Sequence, residues 1–338
     1  MSATFSPYER LVLVGTMFPS ADDRELPRAA LRPVQIVGPD GRVPVPYFDV
    51  WGERGPTAMA FTVGRVIVTT GDDLWSVDLA TGDADRCRVV DLRDVHEMQI
   101  DDGVLWIANT GRDELVAVDP TAGTEVERVS LAGFRLEHVA AADEDTVDTF
   151  HANQVFTTLA GERAVLVHHV TGRQRLRRVA ERLLKKQGDG GVVEIASGRR
   201  HRLGLRGPHT VRLHDSLHWL FDSGAASLNA YDVAWRSVDR IGLRGWGRGA
   251  AVSTELGLMY AGISKTRTRY LGLFPAAMTR VPNLIQIVDL HARAVVSDIV
   301  LDDVEQVSNL YLVAPDVAEA MLALDPRSAP SAVQATER

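Results

Sequence analysis

Cysteine is almost missing from this 338-residue chain. The single thiol, Cys87, excludes an intrachain disulfide and any cysteine-rich metal site, so nothing in the sequence demands an oxidising compartment. A basic surplus is missing as well: 37 Lys and Arg stand against 45 Asp and Glu, a formal charge of −8, which argues against a nucleic-acid binder. No uncharged apolar run is long enough to cross a bilayer. The opening stretch, MSATFSPYER, lacks the basic and apolar regions of a signal peptide. The expectation is a soluble cytoplasmic protein with neither a membrane nor a nucleic-acid partner. Lysine occurs only at Lys185, Lys186 and Lys265 while arginine abounds, a coding bias typical of high-GC bacteria. There is no phosphate loop, nucleophile elbow or Cys–His pairing, and Gly247–Gly249 is GRG rather than a dinucleotide fingerprint.

What the chain does have is internal repetition. Asp94–Asp119, DVHEMQIDDGVLWIANTGRDELVAVD, sets out a histidine, an apolar strand, Leu-Trp, Thr-Gly and Val-Asp. Gly207–Asp232, GPHTVRLHDSLHWLFDSGAASLNAYD, repeats the layout. His209 stands as far from Trp219 as His96 does from Trp106, and Trp219 as far from Gly224 as Trp106 from Gly111. A repeat of this size whose strands alternate and end in turn residues is the signature of a β-propeller.

Along the chain, Leu11–Gly15, Pro33–Val37 and Val43–Val50 read as strands without a leading histidine. Thr57–Asp78 is a repeat lacking its histidine, with Cys87–Leu92 expected as its edge strand. The Asp94 unit is second, closed by Val126–Leu131. The third starts near Asp148, is led by His151 and is interrupted by Arg173–Lys186, whose apolar residues fall at helical spacing between arginines. That insertion reads as a helix on a blade edge, or alternatively as a lid, a membrane-facing or a nucleic-acid-facing surface. The His209 unit is fourth, closed by Val238–Leu243. Gly247–Gly262 begins the fifth with Arg248 near the leading position, and its insertion, residues 264–282, is suited to contact a ligand or a second subunit in a homo-oligomer. Val304–Val313 supplies a sixth inner strand with Glu305 near its start, followed by a helix over Asp316–Leu324. The expected fold is therefore all-β: one domain over residues 1–324, a six-bladed β-propeller whose N-terminal strands complete the last sheet and remove its free edges. Seven blades are the alternative if residues 11–50 form one by themselves, and residues 325–338 are expected to be a disordered tail.

Inner strands of a propeller line its channel, and their first residues sit at the mouth. His96, His151 and His209 open three consecutive inner strands, so three imidazoles converge on the axis as a metal site with open positions. Hydrogen bonding across the channel is the bland alternative. Zinc is the first expectation, with iron, copper, nickel and manganese also compatible with imidazole. Glu97, Arg248 and Glu305 are the charged candidates for catalysis. Arg248 can grip an anionic substrate bidentately, whereas strand alternation turns Glu97 away from His96, toward a salt bridge between blades. Asp148 can orient an imidazole or cap a turn; Asn153 and Gln154 can line the channel, and His138 can reach its mouth. His168 and His169 are adjacent on one strand, so at most one faces the channel. His214 and His218 flank a turn and are expected in solvent, His201 lies in a polar run and His291 in a turn.

These units, with FHANQV, GPHTVRLHDSLHWLFDSG and GRGAAVSTELGLMYAGISK, resemble an uncharacterised group of bacterial six-bladed propellers over residues 57–315 and, more distantly, the NHL and gluconolactonase-like propellers. Peptidyl-hydroxyglycine amidating lyase, a six-bladed propeller with a three-histidine zinc site, is similar in the arrangement that His96, His151 and His209 would adopt. The carboxylate and asparagine ligands of gluconolactonases have no counterpart in this chain. Together these readings lead to the expectation of a metal-dependent lyase or isomerase acting on a small polar metabolite, with bacterial specialised metabolism as its setting. A non-catalytic binding or scaffold propeller and a lactonase-like metal-dependent hydrolase are the alternatives.

Overall fold

A computed structural model describes residues 4–16, 26–27, 30–51, 55–134, 148–172, 188–265 and 281–330. His138, the basic helix expected at 173–186, most of the 264–282 insertion and the chain beyond 330 lie outside these residues.

The N-terminal strands are β1 (Arg10–Thr16), β2 (Val34–Gly38) and β3 (Gly41–Pro44). Blade 1 follows with β4 (Ala58–Thr62), β5 (Arg65–Thr69), β6 (Leu74–Asp78) and β7 (Ala84–Arg86). Blade 2 holds β8 (Met98–Asp101), β9 (Val104–Asn109), β10 (Glu114–Asp119) and β11 (Thr124–Ser130). Blade 3 holds β12 (Ala152–Thr157), β13 (Arg163–Val167), β14 (Gly190–Glu194) and β15 (Arg200–Leu205). Blade 4 holds β16 (Pro208–His214), β17 (Leu217–Asp222), β18 (Ser227–Tyr231) and β19 (Ser237–Gly242). Blade 5 holds β20 (Trp246–Ser253), β21 (Leu258–Ser264), β22 (Leu284–Asp289) and β23 (Ala294–Val300). The last strand, β24 (Gln306–Val313), pairs with β1, so blade 6 reads β24-β1-β2-β3 and is built from both ends of the chain. The inner strands β4, β8, β12, β16, β20 and β24 touch in succession, and β24 touches β4. Six blades close the ring, as the repeat pattern predicts.

The repeat's residue types have local causes. The aspartate that ends the third strand of a blade accepts two backbone N–H bonds in the following turn: Asp78 from Ala80 and Thr81, Asp119 from Thr121 and Ala122, Asp289 from His291 and Ala292. Those bonds favour the ionised form and hold the Asp78 and Asp119 carboxyls below the usual carboxylate value. Thr110-Gly111-Arg112 and Ser223-Gly224-Ala225 form matching 3-10 turns between the second and third strands of blades 2 and 4. Between the sheets lie six apolar clusters, one at each seam; Leu13, Tyr260 and Ile285 meet at the seam of blades 5 and 6, and Met59 and Val12 at that of blades 6 and 1. Period-2 alternation makes this possible, because each sheet buries both faces against its neighbours.

Two expectations change. The edge strand of blade 1 is Ala84–Arg86, since the Asp78 turn closes at Asp83 and β7 begins at once; Cys87 lies beyond it, buried against Gly123. Burial pushes the Cys87 thiol up to about 11, which makes it an inert core group. The terminal helix, α1, spans Pro315–Leu322, starting at a proline whose missing N–H costs the first turn nothing. Residues 326–328 form a 3-10 turn with Asp325 accepting from the Arg327 N–H, and Ala329 packs on the seam of blades 6 and 1.

Candidate functional site

The geometry of the channel mouth follows from β-bulges at the start of the inner strands. In blade 4 the register with β17 slips between His209 and Val211, leaving Thr210 as the extra residue. In blade 3 it slips between Ala152 and Gln154, in blade 5 between Arg248 and Ala250, and in blade 6 around Ser308. A bulge bends the strand and re-aims its side chains. Matching Trp106 to Trp219 places His96 and His209 at one position, and Arg248 shares it in blade 5. In blade 3 that position belongs to Ala152; His151 comes one residue earlier and reaches the mouth through a left-handed backbone, φ 50°. In blade 6 it belongs to Val307, so Glu305 does not lead its strand: it is buried ahead of β24, where its Oε1 accepts from the Leu26 N–H at 3.4 Å.

At the mouth four imidazoles stand in a row. Ring centroids of His96 and His151 are 4.9 Å apart, those of His151 and His168 4.3 Å, and those of His168 and His209 5.2 Å. His168 follows β13, its N–H bonded to the His151 carbonyl, and it fills the gap between two expected ligands. Of the adjacent pair it is the one whose ring joins the row, while the backbone of His169 bridges to that of Asp189. Trp246 closes the row, 5.8 Å from His209, and a Cβ on Gly207 would meet its ring at 3.0 Å, so the glycine lets the indole sit there.

Hydrogen bonds fix the tautomers. His209 Nδ1 lies 2.9 Å from the Gly207 carbonyl, an acceptor, so this nitrogen carries the proton and Nε2 keeps its lone pair. His151 Nδ1 lies 2.9 Å from Asp148, with the same consequence. His168 Nε2 is buried with no hydrogen-bond partner among the described residues. His96 differs. Asn153 gives its amide N–H to the Pro208 carbonyl at 2.6 Å, which leaves its oxygen facing His96 Nδ1 at 2.8 Å, while His96 Nε2 lies 3.3 Å from Asp94.

Burial lowers the pKa of His168 and His209 well below the ordinary value near 6.5, reinforced by neighbouring imidazoles and, for His209, by the charge of Arg248. His96 is lowered too, chiefly by burial, with Asp94 pulling the other way. Burial would raise the Asp148 carboxyl, but its contact with His151 outweighs that and holds it below the usual value.

Below the mouth the channel is cross-braced. Glu97, the counterpart of the bulge residue Thr210, is 5% exposed and reaches across to blade 4, where Thr210 donates to it at 3.0 Å and Arg212 at 2.8 Å. Arg212 also donates to the Ala250 carbonyl of blade 5. Gln154 accepts from the Val211 N–H and donates to Gln99 at 3.2 Å. Glu97, Asn153 and Gln154 thus tie blades together. His218 is fully buried, stacked on Trp235 at 4.1 Å and accepting from the Leu159 N–H, and His214 is 6% exposed. The expectation of solvent exposure fails for both, because the His218 ring lies between Trp235 of its own blade and Phe156 of blade 3, and the His214 ring lies against His291 of blade 5.

A second group lies at the opposite end of the sheets, where β16 turns into β17 and β22 into β23. His214, Asp215 and His291 are, among the described residues, a set whose ligand atoms all lie within 4.8 Å of one another. Composition and spacing do not single them out, because they come from turns of two different blades.

Residues 179–322 match a family model described as a domain of unknown function, DUF4915. Among solved structures the chain is similar to a protein of unknown function from Bacteroides caccae, 10% identical, covering 90% of this chain and 99% of that one with a TM-score of 0.59. It is similar to a chain of a nidogen/laminin complex, 10% identical over 90% and 98% of the two chains, TM-score 0.53. Virginiamycin B lyase from Staphylococcus aureus is a looser likeness, 10% identical over 73% and 70%, TM-score 0.46. At these identities the likeness is one of fold. No curated protein matches the chain.

Proposed function

We propose that the histidine row at the channel mouth is the working site of a metal-dependent lyase or isomerase acting on a small anionic metabolite. The observation that carries this reading is the buried His168 Nε2 without a hydrogen-bond partner among the described residues, beside two imidazoles whose Nδ1 is held and whose Nε2 lone pair is left over. Free imidazole nitrogens of this kind are the donors a histidine metal site uses, and His151 and His209 already have an outer partner on Nδ1. Among the described residues the ligand atoms of the row do not all lie within 4.8 Å of one another, so the rings would turn inward to hold an ion. His151, His168 and His209 would hold the ion, and the reading departs from His96, His151 and His209 because His96 Nε2 faces the Asp94 carboxylate rather than the other imidazoles. A bound divalent ion would polarise a substrate oxygen or a water.

The chain's own residues supply the rest. His96 donates from Nδ1 to Asn153 and is kept neutral by burial, so Nε2 is the atom that takes a proton from substrate. Asp94, 3.3 Å away, stabilises the imidazolium that results. Arg248, at the leading position of blade 5 and close enough for its charge to act on His96 and His209, orients the anionic end of the substrate.

Elemental analysis of the purified chain tests the proposal. His168→Ala and His151→Ala are expected to lose a bound transition metal that His96→Asn retains. Native protein that neither carries nor takes up metal at this site would sink the reading and favour a binding propeller.

A further inference from the structure

We propose a second divalent-metal site, formed by His214, Asp215 and His291 where blade 4 meets blade 5, at the opposite end of the sheets from the histidine row and independent of it. His214 ends β16; Asp215 and Ser216 make the two-residue turn with φ of 49° and 58°, the left-handed pair a tight hairpin needs. His291 lies in the turn between β22 and β23, where Asp289 accepts from its backbone N–H at 2.9 Å and fixes its place. Gly257 makes room for the ring: a Cβ there would stand 2.5 Å from His291 Cδ2.

Three observations point to a cation. First, the His214 side chain is 4% exposed, yet neither of its ring nitrogens makes a hydrogen bond among the described residues, an unfavourable state for a buried imidazole that a metal bond would relieve. Second, one carboxylate oxygen of Asp215 faces both histidines, 3.2 Å from His214 Nε2 and 3.5 Å from His291 Nδ1. Ligand atoms bound to one tetrahedral ion at about 2.0–2.1 Å stand about 3.3 Å apart, so these two edges already have the spacing of a coordination sphere. Third, the Asp215 and His291 side chains are 59% and 67% exposed, which leaves an entry path and room for water at the remaining position. Two imidazoles and one carboxylate suit a borderline first-row divalent ion such as zinc rather than calcium or magnesium, which prefer oxygen. Because the ligands come from two blades, the ion would also clamp that seam.

The test is titration of the chelator-stripped full-length protein with zinc alone, read by calorimetry and by thermal unfolding, with cobalt absorption as a check on coordination. His291→Ala and Asp215→Asn alter exposed side chains, so both should fold like the parent; circular dichroism checks this. Each is expected to weaken one zinc site by roughly tenfold or more and to abolish its share of the rise in melting temperature. If both variants titrate like the parent, the proposal is overturned. His168→Ala run in parallel separates the two sites: loss of binding there reports on the channel mouth only, and a zinc site that survives His168→Ala but not His291→Ala supports the blade 4–5 site even if the channel reading fails.

Discussion

At the scale of single residues, the channel shows how a short irregularity overrides strand alternation. Alternation alone turns Glu97 away from whatever His96 faces; the corresponding bulge in blade 4 leaves Thr210 with φ 45° and aimed at Glu97. Glu97 therefore becomes the acceptor of a buried, three-blade brace rather than a group poised over substrate. Removing one partner of such a pair leaves the other charge buried without compensation. Glu97→Ala is expected to cost about 3 kcal/mol in urea unfolding, and Glu97→Ala combined with Arg212→Met to recover part of that loss. A single substitution that unfolds no more easily than the parent would show that the brace adds nothing. Gly249 is the same bulge position in blade 5: a Cβ there would stand 2.3 Å from the Asn309 Cα, so no side chain fits where β20 and β24 cross closest.

At the scale of elements, the closure of blade 6 carries the ring. β1 pairs with β24 on one side and β2 on the other, and its Leu13 is fully buried at the seam with blade 5. Leu13→Ala removes a packed side chain from the strand that joins the two ends of the chain, where loss cannot be absorbed by local rearrangement. A destabilisation of about 2–5 kcal/mol is expected, measured as a shift in the denaturant midpoint. The same substitution at half-exposed Leu213 of β16 should change the midpoint little. A Leu13→Ala protein as stable as the parent would mean that the ring does not depend on this closure.

For the whole molecule, the buried histidines make stability depend on pH. In the unfolded chain His168 and His209 protonate near 6.5; in the folded protein they do so only well below that value. Below pH 6.5 the unfolded state therefore holds more protons and stability falls, whereas above it both states are neutral and these groups contribute no slope. Each should lose about 1.4 kcal/mol per pH unit below about 6.5 until its folded pKa is reached. Chelator-stripped protein unfolded in urea at about pH 7.5 and about pH 5.5 is expected to show this loss, and His168→Gln a smaller one. Equal stability at the two pH values would show that these imidazoles protonate as readily in the fold as in the unfolded chain.

The ring itself was legible in the sequence, because its causes are local. Alternation sets strands buried on both faces, the Val-Asp turn caps each third strand, the Leu-Trp and Thr-Gly spacing marks the copies, and strands without a leading histidine at one end complement a lone inner strand at the other. The same signals misplaced the edge strand of blade 1 and the start of the inner strand of blade 6, where turn closure and register shift each act over one or two residues. The site was legible only as a neighbourhood. His96 and His151 are in ring contact, but His209 joins them only through His168, and the sequence assigns no side to His168, since only the packed end of β13 decides which of two adjacent histidines faces inward. Nor could spacing join His214 to His291, which become neighbours because blade 5 packs on blade 4. Repeat and alternation determined the ring; bulges, a left-handed histidine and contacts between blades, all products of tertiary packing, decided which side chains meet.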